Sequence, residues 1–316
     1  MVVFHHFVQI NLGFSTANGL ELFFRSYGAL GVDLFFLISG FVISLTVLDK
    51  SETFYSFLKK RVLRIVPNYW FYTLLLLGLT LITEGFYKYN TVDYTFVLQS
   101  MFFMPEKSPI FNGFFPFLTV GWTLNYEVYF YLLFAIALAF VKTFEKRILL
   151  LLVTMIFITN LASVFISESF YASPIVYEFL LGVVGAYVHK QGWLRDVHPL
   201  IAVALITASA LFIYIRTPGH SYLLAGIPML LILMFAVTLE KYTKENWISK
   251  LGDYSYSTYL AHAIIWFGLK LVCDEYLIGA YWALPIGVLA TYFMSAFTFE
   301  MIEKKLYFNL KKRGVL

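Results

Sequence analysis

Long apolar runs dominate the chain, each closed by a polar or charged cluster, at about residues 1–14, 29–48, 68–83, 123–141, 147–166, 174–189, 199–215, 221–239, 254–272 and 281–299. A helix needs roughly 20 residues to span the hydrocarbon of a bilayer, so uninterrupted runs of this kind read as membrane-crossing helices. The pattern predicts an all-α fold, a polytopic transmembrane helix bundle of about ten spans. Glu84 to Gly121 interrupts it with Pro105, Pro109 and Pro116 among aromatics. That stretch predicts an aqueous or re-entrant loop with one short helix near Tyr94 to Met104. Just before the third run, Arg61 and Arg64 stand three apart, on one helical face, and Pro67 is expected to open the span that follows.

Composition agrees with the pattern. Of 316 residues 60% are hydrophobic and 13% charged, with mean hydropathy +0.76, whereas a soluble domain is about 45–50% apolar and about 25% charged. A soluble globule is excluded, and a lipid bilayer is the implied surrounding. One membrane domain, residues 1–316, accounts for the length. The excess of four basic residues is distributed unevenly. If the segment with Lys59, Lys60, Arg61 and Arg64 is cytoplasmic, strict alternation places 18 of the 23 basic residues on that side, leaving Arg25, Lys88, Lys107, Arg216 and Lys270 opposite. This is the bias of the positive-inside rule, so both termini are expected in the cytoplasm and no nucleic-acid role is expected. A single cysteine, Cys273, excludes an intramolecular disulfide, and nothing at the start reads as a cleavable signal peptide.

Against this apolar background the polar residues inside spans carry the chemistry. A charge at the centre of a membrane helix costs roughly 2.5–3.5 kcal/mol on insertion scales, so a charge that persists faces protein or a wet cavity. Those residues are His5, His6, Asp33, Glu127, Glu178 and His262. Interhelical hydrogen bonding, worth ~0.6 kcal/mol on average, is the plainer reading, and it is preferred for Glu178 and for Asp253. His5 and His6 differ, because no packing argument needs imidazole there. A neutral imidazole can take a proton from a hydroxyl while a carboxylate orients it, which suits acyl transfer to an alcohol. By depth, His6, Asp33 and Glu127 could converge near the outer ends of their helices. Arg61 and Arg64 suit phosphate, or serve equally as an anionic-lipid anchor. Motifs for ATP, NAD, nucleophile-elbow and zinc sites are absent, and adjacent His5 and His6 point about 100° apart, so no metal is expected.

Several stretches together resemble the acyltransferase 3 family of multi-pass membrane acyltransferases that act on cell-surface sugars. They are Val2-Val3-Phe4-His5-His6-Phe7, Gly31-Val32-Asp33-Leu34-Phe35-Phe36-Leu37-Ile38-Ser39-Gly40-Phe41, Lys60-Arg61-Val62-Leu63-Arg64-Ile65-Val66-Pro67-Asn68-Tyr69-Trp70 and Trp122-Thr123-Leu124-Asn125-Tyr126-Glu127-Val128-Tyr129-Phe130-Tyr131-Leu132, with Leu251-Gly252-Asp253-Tyr254-Ser255-Tyr256-Ser257-Thr258-Tyr259-Leu260-Ala261-His262 near the end. The resemblance places the reactive histidine on His6, with His5 as fallback. It implies acyl-coenzyme A, as acetyl-coenzyme A, approaching from the cytoplasm as donor substrate with no tightly bound cofactor. It also implies Arg61 and Arg64 near the donor phosphates, and a hydroxyl of a glycan or lipid-linked sugar as acceptor. A bacterial cytoplasmic (inner) membrane location follows from the same likeness. Two departures stand out. The family's opening arginine would fall about five residues before Met1, which suggests an N-terminal truncation, and Thr123 and Asn125 stand where serines are common. The rival readings are a proton-coupled glycolipid transporter or flippase, with His6, Asp33 and Glu127 as its relay, and a non-catalytic truncated homologue. No half-to-half repeat favours the transporter.

Overall fold

The computed structural model describes residues 1–14, 19–47, 52–83, 86, 92–165, 170–216, 219–244 and 247–312. Among these there is no strand. In chain order the helices are α1 (Val2–Phe7), α2 (Gly19–Tyr27), α3 (Gly31–Val47), α4 (Phe54–Ile82), α5 (Tyr94–Met101), α6 (Trp122–Phe140), α7 (Phe144–Phe165), α8 (Tyr177–Lys190), α9 (Pro199–Arg216), α10 (Ile227–Leu239), α11 (Trp247–Asp253), α12 (Ser255–Glu275), α13 (Ala283–Thr298) and α14 (Lys305–Lys312). The expected all-α membrane protein is borne out. Seven described segments are long and apolar enough to cross a membrane: Gly19–Val47, Phe54–Ile82, Thr119–Phe140, Phe144–Phe165, Pro199–Arg216, Tyr222–Tyr242 and Ala280–Lys304.

Three of the ten expected spans fall outside that set, each for a visible reason. Residues 1–14 form α1 and a π-helical turn, Val8–Leu12, and α8 has only 14 residues behind a 3-10 turn. Helix α12 has 21 residues but carries His262 and Lys270 within them. Pro67 also departs from expectation. It does not open a helix but stands inside the 29-residue α4. Its missing N–H removes one helical hydrogen bond, and in the same stretch the Tyr256 hydroxyl donates to the Ile65 carbonyl at 2.7 Å. The proline-rich interruption behaves as expected: Asp93 caps α5 by accepting from the backbone N–H of Thr95 and Phe96.

The chain forms two compact units. One contains Ser26–Leu58 and Tyr126–Glu245, the other Val2–Arg25, Lys59–Asn125 and Asn246–Leu316. In the first, α3 and α8 touch backbone to backbone. A Cβ on Gly40 would lie 2.2 Å from the Phe179 carbonyl oxygen, and one on Gly182 would lie 2.1 Å from that of Leu37. Small residues permit this approach, which suits helices that lack a hydrophobic drive to associate in lipid. Phe179 then packs between Phe36 and Phe130, with ring centroids 4.5 and 4.6 Å away. In the second unit α12 anchors α1. Trp266, fully buried, donates to the Val3 carbonyl at 2.9 Å and packs on Phe7. On α13, Gly287 leaves the space that the Trp266 ring fills.

Candidate active site

The anchoring of α1 on α12 brings His6 to His262, 256 positions away, with His6 Nδ1 2.9 Å from His262 Nε2. The hydrogen-bond chain fixes which nitrogen holds each proton. His262 Nδ1 lies 3.1 Å from the Thr258 carbonyl, which only accepts, so Nδ1 carries the hydrogen and Nε2 of the neutral ring accepts. His6 Nδ1 must then donate to it. A second contact agrees, since the same nitrogen lies 3.2 Å from the Val2 carbonyl. His6 in its neutral form therefore has its lone pair on Nε2, the arrangement a general base needs. His5 is placed differently: it is buried and its Nδ1 donates to the Phe24 carbonyl at 3.0 Å.

His6 lines a cavity of about 410 Å³, together with Phe115 and Thr119 from the end of the proline-rich loop and Trp122 from the first turn of α6, which form a wall of it. Tyr259, on α12 one turn before His262, holds that wall. Its hydroxyl donates to the Val120 carbonyl at 2.7 Å and accepts from Thr123 at 3.0 Å. Thr123, in place of the more usual serine, thus serves the wall.

Arg61 and Arg64 line a second cavity of the same unit, about 690 Å³, together with Lys60 and Lys304. Its acidic members are Asp253 and Glu303. Glu303 is held by the Asn68 amide at 2.8 Å and by the Ser257 hydroxyl. Lys304 is paired with Glu300 at 2.8 Å, so Lys60, Arg61 and Arg64 are the cations that make up a donor set fitting phosphate oxygens. Asp253 is exposed here, so the hydrogen bond between helices expected of it is replaced by a place on the cavity rim.

In the first unit Asp33 is fully buried and its Oδ2 lies 2.8 Å from Nδ1 of His220. That hydrogen bond raises the His220 pKa above its usual value of 6.5, against the opposing effect of burial. Glu178 lies against Asp33. Glu178 on α8 thus meets Asp33 on α3 side chain to side chain, the interhelical contact expected of it, while both Glu178 oxygens and Asp33 Oδ1 are buried with no further donor among the described residues. Glu127 accepts from Ser39 at 3.1 Å and from Tyr131. The sequence reading missed His220, which follows Pro218-Gly219 in a short link between α9 and α10. It noted His262 but gave it no role. Among the described residues no three His, Cys, Asp or Glu side chains are grouped to hold a metal ion.

These features are those of a membrane enzyme that moves acyl groups, and comparison with known proteins agrees. The chain belongs to the acyltransferase 3 family, whose profile, described as an acyltransferase domain, matches residues 1–300. The resemblance drawn from the motifs is therefore borne out, and the protein is an acyltransferase. It is similar to the exopolysaccharide production protein ExoZ of Rhizobium meliloti (strain 1021), 30% identical over 296 residues, which covers 90% of this chain and 89% of ExoZ. An uncharacterized protein of Haemophilus influenzae is 26% identical over 253 residues, 68% of this chain and 99% of its own length. No solved structure matches the chain.

Proposed function

We propose that the protein is an O-acetyltransferase that moves the acetyl group of acetyl-coenzyme A to a hydroxyl of a cell-surface glycan or lipid-linked sugar. The observation that carries this reading is the His6–His262 hydrogen bond beside a cavity, which leaves His6 Nε2 as an acceptor. The acceptor hydroxyl gives its proton to Nε2 as its oxygen bonds to the thioester carbonyl carbon. The carbon–sulfur bond then breaks, and the departing thiolate recovers the proton from His6. His262 is the positioning residue. It takes the role that the sequence suggested for Asp33 or Glu127, because its ring occupies the hydrogen-bonding direction on Nδ1 that an orienting acid would use. Arg61 and Arg64, with Lys60, hold the donor phosphates.

The name of ExoZ supports a polysaccharide acceptor. The family likeness supports a bacterial inner-membrane protein, and the distribution of basic residues supports both termini, and the donor cavity, on the cytoplasmic side. Residues 1–316 act in this reading as one acyltransferase domain. The test is His6→Ala, with O-acetyl groups on surface polysaccharide measured by mass spectrometry. A drop of about 100-fold or more is expected, the lower end of what a general base contributes. Unchanged acetylation at normal protein levels would remove His6 from the reaction.

A further inference from the structure

The cavity beside His6 has a chemistry of its own. Four aromatic side chains line it, Phe111, Phe115, Trp122 and Phe267. The Phe115 and Trp122 rings stand nearly perpendicular, at 79° with centroids 6.5 Å apart, so they form two walls of a corner. Polar groups enter at separate points: Gln9 near His6, Thr119 from the loop, and Lys270 from the face of α12 that also supplies Ala263 and Phe267. An apolar enclosure with a few placed polar groups is the usual form of a small-molecule site, and about 410 Å³ is within the ordinary range of roughly 300–1,000 Å³. An acyl chain would want no such polar groups, whereas a sugar ring offers apolar C–H faces and a rim of hydroxyls and so matches both wall types. The charge balance narrows the choice. Lys270 is paired with both carboxylate oxygens of Asp274, at 2.8 and 3.0 Å, so its charge is already matched and nothing in the lining calls for an acidic sugar.

We propose that this cavity is the acceptor site and holds one neutral pyranose ring, stacked in the corner of Phe115 and Trp122 with a hydroxyl turned to His6 Nε2. The proposal rests on the reading of His6 as base and adds the class of acceptor and the residues that select it. Thr119 and Gln9 hydrogen-bond the ring's other hydroxyls and so set which position is acylated.

The test uses the full chain in cells whose own copy of the gene is deleted, with O-acetyl groups on the surface polysaccharide quantified by mass spectrometry, and acetyl-coenzyme A binding to the purified protein measured by calorimetry. Trp122→Ala removes a wall, Trp122→Phe restores an aromatic face, and Thr119→Trp fills the space. Trp122→Ala and Thr119→Trp should each lower acetylation about tenfold or more at unchanged membrane levels, as loss of an aromatic contact near the top of its range predicts. Trp122→Phe should keep most of it, and acetyl-coenzyme A affinity should stay within about twofold. Full acetylation in both Trp122→Ala and Thr119→Trp overturns the proposal. So does a matching loss of acetyl-coenzyme A affinity, which would give the cavity to the donor. Were wild type itself to acetylate no better than the empty vector, the O-acetyltransferase reading would fail rather than the assignment of the cavity.

Discussion

Each unit holds a histidine against a buried polar partner, and the two partners differ in charge. His6 meets the imidazole of His262, while His220 meets the carboxylate of Asp33, with Glu178 beside it. The carboxylate favours the protonated ring and raises the His220 pKa. An imidazole partner brings no negative charge and, by accepting one hydrogen, leaves the opposite nitrogen open. The surroundings diverge in the same sense: His6 lines a cavity, and His220, 40% exposed, lies on a loop between two helices. The same side chain thus has one ring nitrogen left open as an acceptor in one unit and a pKa held above its ordinary value in the other, and it is the partner that decides.

Three further measurements would break or sharpen that contrast. The largest effect is expected at His262. Replacing it with alanine removes the acceptor that fixes the His6 ring and should slow transfer roughly 10–100-fold, part of the whole general-base contribution. His262→Gln, whose amide oxygen can still accept from His6, should recover much of the rate and move the acid limb of the pH–rate profile. Full activity in His262→Ala would return the orienting role to an acid such as Asp33 or Glu127. Next comes Arg61→Ala. Loss of one charge-assisted contact to phosphate should weaken acetyl-coenzyme A binding about tenfold, measured by calorimetry, while leaving the dependence on acceptor unchanged. Equal donor affinity would make the cluster a lipid anchor.

The smallest effect is expected at His220. Because its folded pKa is raised, the Asp33–His220 contact contributes fully below the ordinary value of 6.5 and is lost as pH rises through the higher folded value. The thermal midpoint of the wild-type protein should therefore fall as the pH rises above about 6.5, a step that His220→Gln abolishes, with acetylation at a fixed pH changed by less than about threefold. An abolished acetylation in His220→Gln at normal protein levels would place the first unit's pair in the chemistry and end the contrast.

Most of the helices were legible in the sequence because apolarity along a span is a local property. Where it failed, the reason was also local. Pro67 signals a helix start by its own geometry, yet α4 continues through it. Helix α12 owes its lower apolarity to His262 and Lys270, two residues that line or support the site. The site itself was half legible. His6, Arg61 and Arg64 announce themselves as polar groups in apolar surroundings or as a paired basic face. The His6–His262 bond spans 256 positions and the Asp33–His220 bond 187, and neither distance leaves any periodic trace. His220 in particular stands in a polar link where a histidine carries no signal. Aromatic residues such as Phe115 and Trp122 were hidden by abundance, in a chain that is 20% aromatic.

Tyr259 ties two of these parts together. One phenolic oxygen grips the end of the loop at Val120 and the start of α6 at Thr123, and the turn that bears it leads directly to His262. A displacement of the loop by an arriving guest would therefore be felt at the imidazole through a single side chain. Removing that oxygen, as in Tyr259→Phe, would uncouple how firmly the guest is seated from how well the reacting ring is aimed.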